Sequence, residues 1–373
     1  MIYLDHAATS IPSPTVLEVY HQVAKTIWYN PSSMHEMGIL AKNYIDKATT
    51  TILKTLSLQD KAIYYTSGAT EANNLAIYGI CMPYVGKNKH IITTQIEHPS
   101  VYRVFQDLEK KGFRVTYLST HNGFVDIEEL KAALTKDTIL VSIMWVNNII
   151  GSIQPIKQMI QVVKEYSHAK IHVDAVQGIG KIPFDYNPNE VDLMTITLHK
   201  IGGLKGTGLL LASKSLVLQT MIHGGHQQNN VRGGTMDVAG IVAASKTLTL
   251  AYQNLDIHYQ YVQKLNDYLL QRLKDIPFVT INQSSGKYSP YVVSISFSHI
   301  KGETVMHYLE QYDICVGIGS ACNEKQQTLE RAVQVLTDEK WRAINMIRIS
   351  LSEQNTTQEI DELIVRIKAL ERM

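Results

Sequence analysis

This 373-residue sequence contains few cysteines, only short apolar runs and almost equal numbers of basic and acidic side chains. The three cysteines, Cys81, Cys315 and Cys322, are odd in number and lack CxxC spacing, so neither a disulfide framework nor a thiolate zinc site is predicted. The 35 basic and 34 acidic side chains nearly cancel, which disfavours nucleic acid or a membrane surface as partner. The longest apolar run, 139–146, is too short to span a bilayer. We therefore expect a small ligand.

The N-terminal stretch has neither the charged nor the apolar region of a secretory signal; it reads MIYLDHAATS. This predicts a soluble, cytoplasmic protein. Because 45% of the residues are apolar, a chain of this length can bury a large core. We expect one large domain and one smaller domain.

One lysine lies where a predicted strand ends, in the segment DLMTITLHKIGGLKGTG (192–208). A β-rich run delivers His199 and Lys200 into a glycine-rich loop, so Lys200 is held at the strand end. A partly desolvated lysine on a rigid strand end has a lowered pKa and can form a Schiff base with an aldehyde. Taken alone, the same pattern also fits an ordinary surface lysine.

A carboxylate ends the preceding predicted strand, in the segment KIHVDAVQ (170–177). Asp174 at this strand end could pair with a protonated pyridine nitrogen and keep a pyridoxal ring an electron sink. A strand-end Asp followed by a strand-end Lys also occurs in nucleotide-binding α/β proteins, where the Asp binds a metal or a ribose. Asp174 and Lys200 together favour pyridoxal chemistry but do not exclude a nucleotide-binding site.

Strands and helices alternate along the chain, and polar residues recur where the strands end. The segment TSGATEANNLAI (66–77) joins a strand to a helix, whose unpaired N–H groups and dipole would hold a phosphate. Neither GxGxxG nor GxxxxGK[ST] is present, which disfavours a dinucleotide or a nucleoside triphosphate. Ligands of open α/β sheets bind at strand carboxyl ends. We therefore expect one site built from Thr70, His98, Asn148, Asp174 and Lys200.

Other candidates rest on single features. His98 could stack on a flat ring and shuttle protons, or be a satisfied structural histidine. Asn30 lies on a predicted loop, as a ligand group or as a turn-forming residue. Arg348 could bind a carboxylate through the paired N–H donors of its guanidinium group, or it could form a structural ion pair. The loop thiol of Cys322 is available as a nucleophile. No metal site is predicted, because the histidines of HGGHQQ lack a third ligand.

The chain resembles a cysteine desulfurase of the pyridoxal phosphate-dependent, class V aminotransferase family. The shared motifs extend almost from end to end: YLDHAATS, NPSSMH, TSGATEANNLAI, EHPSV, VSIMWVNNIIG, HVDAVQGIGK, VDLMTITLHKIGG, HGGHQQNNVRGGT, GSAC and IRISLS. The resemblance implies an α/β protein, a fold type I PLP-dependent transferase. A mainly parallel seven-stranded sheet would form the large PLP-binding domain, residues 13–255. Residues 1–12 and 256–373 would form a smaller α/β domain carrying the catalytic cysteine loop.

The resemblance also implies how pyridoxal 5′-phosphate is bound. Lys200 would hold the cofactor covalently, Asp174 would pair with the pyridinium, and His98 would stack on the ring and assist proton transfer. Asn148 and Gln177 would face the ring hydroxyl. The phosphate would be held by Ala69, Thr70, Thr197 and His199, joined by Thr235 from the second subunit of a homodimer.

The implied reaction converts L-cysteine to L-alanine. Arg348, with Asn30 and Asn148 nearby, would receive the substrate carboxylate. Cys322 would take the sulfur as a persulfide and pass it to an acceptor protein, for iron–sulfur cluster assembly or for tRNA or cofactor thiolation. The alternatives are a selenocysteine lyase, another PLP enzyme of this fold, or a non-catalytic PLP-binding scaffold of a sulfur-relay complex.

Two positions depart from the family pattern. Ile149 stands where the family usually has Glu. The residues Asn323, Glu324 and Lys325 follow the cysteine where Thr or Ser is common. The second departure bears on which acceptor protein is served and on how fast turnover is without it.

Overall fold

A computed structural model of the chain describes residues 1–319, 331–337 and 339–372. The predicted nucleophile Cys322 and the departures at 323–325 lie outside the described residues. The strands are β1 (Ile2–Tyr3), β2 (Lys61–Thr66), β3 (His90–Thr94), β4 (Arg114–Leu118), β5 (Thr120–His121), β6 (Phe124–Val125), β7 (Thr138–Met144), β8 (Lys170–Asp174), β9 (Leu193–Thr197), β10 (Gly208–Ser213), β11 (Val279–Ile281), β12 (Val292–Phe297), β13 (Ile314–Cys315) and β14 (Met346–Ser350). The helices are α1 (Pro14–Thr26), α2 (Glu36–Thr55), α3 (Ala69–Cys81), α4 (Pro99–Lys110), α5 (Ile127–Ala133), α6 (Ile156–Tyr166), α7 (Val238–Gln253), α8 (Leu255–Lys274), α9 (Gly302–Glu310), α10 (Arg331–Gln334), α11 (Lys340–Ile344) and α12 (Thr357–Ala369).

A seven-stranded sheet forms the centre of the fold, with strand order β2-β10-β9-β8-β7-β3-β4. Strand β10 is antiparallel to both of its neighbours, and the other neighbouring pairs are parallel. The mainly parallel seven-stranded sheet predicted from the sequence is therefore confirmed. The apolar run of β7 is buried along nearly its whole length, as expected of a parallel strand covered on both faces.

Both faces of this sheet are covered by helices, because successive strand residues point to opposite sides. Leu210 of β10 joins a core with residues of α3 and α4, such as Leu75 and Phe105. Its neighbour Leu209 joins the core on the other face, with residues of α2 and α7 such as Ile52. The carboxyl ends of the parallel strands consequently form one edge between two helical layers.

The two ends of the chain meet beside the large sheet. Strand β1 pairs in parallel with β13, and the N–H of Ser350 donates to the carbonyl of Leu4 at 2.7 Å. Strands β11, β12 and β14 form an antiparallel three-stranded sheet in the order β11-β12-β14. The first ten residues thereby lie between this smaller sheet and the lysine loop.

Across the described ranges, every helix falls short of the length or the apolar character that spanning a bilayer requires.

Candidate active site

A cavity of about 380 Å³ opens at the carboxyl ends of the parallel strands. Asp174 is the last residue of β8, Thr197 is the last of β9, and Lys200 follows three residues later. The structure brings together most of the residues predicted from the sequence, and the cavity is lined by Ala69, Thr70, His98, Asn148, Asp174, Gln177, Thr197, His199, Lys200 and Arg348.

The Asp174 carboxylate is oriented through both of its oxygens. Asn73 Nδ2 donates to Oδ2 at 2.9 Å, and the backbone N–H of Val176 donates to Oδ1 at 3.1 Å. Burial raises the pKa of Asp174, while these two donors and the charge of Lys200 oppose the rise. A cation facing this carboxylate would stabilise its charged form further, so the position suits a protonated ring nitrogen.

His98 caps a helix and also lines the cavity. As the N-cap residue of α4, its Nδ1 accepts from the N–H of Ser100 at 3.1 Å. This contact assigns the neutral ring proton to Nε2. Burial, with the charges of Lys200 and Arg331, lowers the pKa of His98 to about 3. The imidazole is therefore neutral near pH 7.

Asn73 and Ser100 connect His98 to Asp174, and neither residue was predicted as part of the site. Asn73 Nδ2 donates to Ser100 Oγ at 2.9 Å as well as to Asp174, and Ser100 Oγ lies 2.8 Å from His98 Nδ1. Asn73 is fully buried within the apolar face of α3. A polar side chain inside an apolar helical stripe is the signal that could have identified it.

The loop that carries Lys200 is fixed by the N-terminal segment. The N–H of Ser10 donates to the carbonyl of His199 at 2.7 Å, and Ser10 Oγ donates to the carbonyl of Lys200 at 2.9 Å. Thr9 Oγ1 lies 3.2 Å from His199 Nδ1. Gly202, at a φ of +79°, supplies the left-handed turn that reverses the chain after the lysine. Lys200 is half-buried at a defined position.

The strand, turn and helix start from which a phosphate site was predicted are found at the end of β2 and the start of α3. The helix begins at Ala69, so its unpaired N–H groups and positive dipole end face the cavity. Strand β10 passes close to this turn: a Cβ on Gly208 would lie only 2.4 Å from the carbonyl carbon of Gly68. A helix N-terminus, a strand-end carboxylate and a strand-end lysine around one cavity fit the phosphate, ring nitrogen and aldehyde of pyridoxal phosphate.

Arg348 is almost fully buried and engaged in an ion pair at the cavity wall. Its Nη2 lies 2.7 Å from Asp5 Oδ1, and its Nη1 donates to the carbonyl of Asn148 at 3.0 Å. The guanidinium carries five N–H donors, and its Nε makes no hydrogen bond to the residues that the structure describes. Arg348 therefore combines the structural ion pair with donors that remain for a carboxylate.

Two predicted residues do not line the cavity within this chain. Asn30 is exposed, and its Oδ1 accepts from the N–H of Ser32 at 2.9 Å, so its side chain closes a turn. Thr235 is exposed on the polar segment 223–237. Ile149, where a Glu is usual, is buried in an apolar cluster with Met144 and Val333. A carboxylate at this position would be desolvated there.

Comparisons with known proteins give one consistent result. The family model described as Aminotransferase class-V matches residues 2–363. The "NifS/IcsS protein homolog" of Lactobacillus delbrueckii subsp. bulgaricus is 38% identical, over 98% of this chain and 95% of that protein. "Cysteine desulfurase IscS" of Dictyoglomus turgidum is 37% identical, over 96% and 92%. A solved structure titled "NIFS-LIKE PROTEIN" superposes with a TM-score of 0.92 at 33% identity, covering 100% of this chain and 99% of that one.

The matched range takes in both the seven-stranded sheet and the smaller sheet, and the superposed fold is mixed α/β with the same extent. The strand-end lysine, the strand-end carboxylate and the helix-bound anion cradle lie within that range. The chain therefore belongs to the class V aminotransferase family.

Proposed function

We propose that this protein is a pyridoxal phosphate-dependent cysteine desulfurase, which converts L-cysteine to L-alanine and carries the sulfur as a persulfide on Cys322. The observation that carries the proposal is the convergence of Lys200, Asp174, neutral His98 and Arg348 on one cavity. Relatives named cysteine desulfurase at 35–37% identity agree with it. These names do not favour the selenocysteine lyase or the scaffold alternative.

When bound, pyridoxal phosphate withdraws electrons from the α-carbon of the attached amino acid and so makes bond cleavage at the α- and β-carbons accessible. Lys200 would hold the cofactor and would move the substrate α-proton at its Nζ. Asp174, kept in place by Asn73 and the N–H of Val176, would pair with the ring nitrogen. His98 would contact the ring as a neutral imidazole. Its fixed tautomer leaves an Nε2 proton available for transfer.

The substrate carboxylate is received by Arg348, whose ion pair with Asp5 fixes the plane of the guanidinium. The Cys322 thiolate then attacks the substrate sulfur. The carbon–sulfur bond breaks with its electron pair remaining on carbon, and a sulfur–sulfur bond forms on Cys322. Protonation of the β-carbon and return of a proton to the α-carbon from Lys200 give alanine, and the acceptor protein removes the outer sulfur.

Replacing the lysine tests the proposal directly. Purified protein should gain a visible absorbance band with pyridoxal phosphate, and Lys200→Ala should abolish both this band and alanine release from L-cysteine. Lys214→Ala, at an exposed lysine beyond β10, is the control and should leave both unchanged. Alanine release by Lys200→Ala at the wild-type rate would overturn the proposal.

The role of Cys322 requires a separate pair of variants. Cys322→Ser should keep cofactor binding and the absorbance change with L-cysteine, while persulfide formation is lost. Cys315→Ser is the control: burial raises the pKa of the Cys315 thiol, so this residue is a poor nucleophile. Full persulfide transfer by Cys322→Ser would show that another acceptor is used.

The proposal includes a homodimer in which Thr235 reaches the partner's phosphate site. In support, the exposed Thr235 lies on a segment anchored to the large sheet: the Gln228 side chain hydrogen-bonds both the N–H and the carbonyl of Tyr65. The adjoining surface groove contains Met34, which is 96% exposed, and Ile39. Light scattering should give a dimer. A monomer that binds pyridoxal phosphate fully would contradict this.

A cytoplasmic location and a protein acceptor for the sulfur belong to the same proposal. Cys81 and Cys315 are free thiols, and a catalytic thiol must remain reduced between turnovers, which suits a reducing compartment. Pull-down of persulfide-loaded protein from its own cell extract should recover an acceptor that becomes labelled with sulfur from cysteine. Recovery without sulfur transfer would contradict the acceptor role.

A further inference from the structure

Lys181 is a buried lysine with no part in the proposed mechanism. Its side chain is 5% exposed, and its Nζ donates to Gln177 Oε1 at 3.0 Å. It lines a second cavity of about 290 Å³, and Lys200 lies in the walls of both cavities. Lys181 is thus close to the cofactor cavity without lining it.

The contact with Lys181 determines which end of the Gln177 amide faces which neighbour. In its charged form the Lys181 amine has donors and no acceptor, so this form faces the amide oxygen. The amide nitrogen then donates one N–H to the carbonyl of Ala7 at 3.0 Å. Gln177 lines the cofactor cavity, and Nε2 has a second N–H that these two contacts do not use. In this orientation, the second N–H of Nε2 is the donor that the Gln177 amide has for a group bound in the cavity.

The backbone around Lys181 holds this arrangement in place. The N–H of Lys181 donates to the carbonyl of Gly178 at 3.1 Å, within consecutive turns that follow β8. Gly180 has a φ of +66°, and a Cβ there would lie 3.1 Å from side-chain atoms of Ala251 and Ile201. The position from which Lys181 reaches back to Gln177 is consequently defined by the fold.

We propose that Lys181 is a positioning residue: by holding Oε1 of Gln177, it fixes that amide as a hydrogen-bond donor toward the ring hydroxyl of pyridoxal phosphate. The inference rests on the proposed function, in which Gln177 faces this hydroxyl. An oxygen that carries negative charge is stabilised by a donor and destabilised by an amide oxygen, so the orientation matters energetically.

The charges around Lys181 add to this effect. Burial, with the charges of Lys200 and Arg348, lowers the pKa of Lys181 to about 7, and Glu353 opposes the change. His6 and His199 also lie within its electrostatic reach, since Lys181 contributes to lowering the pKa of each. Positive charge on Lys181 is therefore costly in the protein alone and gains from a negative oxygen nearby.

A double-mutant cycle of Lys181→Met and Gln177→Ala tests the inference. The readouts are the dissociation constant for pyridoxal phosphate, the pH midpoint of the visible absorbance of the bound cofactor, and the free energy of unfolding of the apoprotein. Each single variant should weaken cofactor binding about threefold to tenfold, the range expected for one hydrogen bond. The double variant should bind no more weakly than Gln177→Ala alone.

The absorbance midpoint separates positioning from simple support of the fold. Lys181→Met removes a positive charge and loosens the donor that faces the ring hydroxyl. Both changes disfavour the deprotonated form of the bound cofactor, so the absorbance midpoint should move to higher pH. Lys61→Met is the matched control, because Lys61 is equally buried but bonds Ser213 at the sheet edge. This control should lower stability without moving the midpoint.

Additive effects in the cycle, or an unchanged midpoint in Lys181→Met, would overturn the inference. Should Lys181→Met fail to fold, neutron diffraction from the deuterated holoenzyme decides instead. The Nε2 deuterons of Gln177 should point to Ala7 and to the ring hydroxyl, and the reverse amide orientation would overturn the inference. Failure of the proposed function is distinct, because wild-type protein would then bind no pyridoxal phosphate or would bind it without releasing alanine from L-cysteine.

Discussion

Asn73 is connected to two groups that are proposed to contact the cofactor, Asp174 and His98. Its two amide N–H groups bond Asp174 Oδ2 and Ser100 Oγ, both at 2.9 Å. Asn73 Oδ1 is buried, and within the described ranges it has no hydrogen-bond partner. One buried amide therefore fixes the carboxylate directly and the imidazole of His98 through Ser100.

Asn73→Ala should weaken the binding of pyridoxal phosphate by about tenfold or more. The change removes a hydrogen bond to a buried charged group, and such a bond contributes roughly 1.5–3 kcal/mol. Titration of the apoprotein with cofactor, followed by visible absorbance, measures the effect.

Asn266→Ala is the control for this prediction, because Asn266 is also buried and its Nδ2 donates to the carbonyl of Pro290, outside the cavity. It should reduce stability without reducing cofactor affinity. Equal affinity losses in the two variants would contradict the role of Asn73.

Glu97 makes the stability of the fold depend on pH. Burial raises the pKa of Glu97 to about 8, from 4.5 for an unperturbed carboxyl. Its Oε1 accepts from Thr94 Oγ1 and from the N–H of Met144. Between these two pKa values the folded state keeps a proton that the unfolded state has lost. This group therefore lowers the free energy of unfolding as pH rises through the window.

Glu97→Gln should remove this contribution, which amounts to about 1.4 kcal/mol per pH unit. Denaturant unfolding of the apoprotein at several pH values between 5 and 8 should show a growing stability advantage of the variant over wild type. Glu128→Gln, at an exposed residue of α5, should show none. A constant difference between Glu97→Gln and wild type across this range would contradict the prediction.

Sequence reasoning placed Asp174 and Lys200 because each follows an apolar strand, and strand carboxyl ends meet at one edge. It did not place Asn73, because the sequence around an Asn in a helix does not indicate which strand the side chain faces. The partner of Arg348 was equally out of reach. Asp5 lies 343 residues away, and only the folded arrangement of β1, β13 and β14 brings the two together.

At the scale of elements, β10 packs closely against the turn that precedes α3. The Cβ of an alanine at position 208 would lie 2.4 Å from the Gly68 carbonyl carbon and 2.6 Å from its Cα. Backbone atoms cannot move aside as a side chain would. The turn that precedes α3 and the strand β10 must therefore separate if position 208 gains a side chain.

Gly208→Ala should lower the free energy of unfolding by about 1–3 kcal/mol and weaken pyridoxal phosphate binding at least tenfold. The separation would displace the N–H groups that face the phosphate. Gly79→Ala, at a buried position within α3, is the control. Its Cβ would meet the flexible Leu218 side chain at 3.3 Å, so affinity should be retained. Wild-type affinity in Gly208→Ala would refute the cradle.

The alternation of strands and helices in the sequence predicted an open α/β sheet. The family resemblance implied that this sheet is mainly parallel, and the sheet has this form. The reversed direction of β10 was not predicted from the residues. The glycine-rich loop 198–207 is long enough to connect β9 to an adjacent antiparallel strand. The local sequence does not determine which strands become neighbours in the sheet. The packing of Gly208 against Gly68 accompanies the observed placement of β10 between β9 and β2.

At the scale of the whole molecule, the division into a large domain of residues 13–255 and a small domain of 1–12 and 256–373 stays a prediction. Its boundary falls next to Asn254, where α7 and α8 are separate helices. The pair of Asp5 and Arg348 joins the first and last parts of the predicted small domain. Their side chains are 22% and 4% exposed.

Asp5→Asn should lower the free energy of unfolding by about 1–3 kcal/mol, because it leaves the buried Arg348 charge without its counter-ion. The KM for L-cysteine should rise as well, since the guanidinium loses its fixed plane. Asp185→Asn breaks the exposed pair with Lys287 and serves as control, with an expected change below about 1 kcal/mol. A KM equal to wild type in Asp5→Asn would argue against Arg348 as the carboxylate receptor.

The placement of the first ten residues has a consequence for biosynthesis. Ser10 fixes the lysine loop, while Leu4 and Asp5 bond partners near residue 350. A nascent chain on the ribosome has its first residues and the whole seven-stranded sheet long before β14 emerges. Closing contacts across some 340 residues carries the largest loop-closure cost in the chain, so we expect them to form late. The cofactor pocket would then be completed only as synthesis ends, and an incomplete chain would carry the reactive lysine without a finished substrate site.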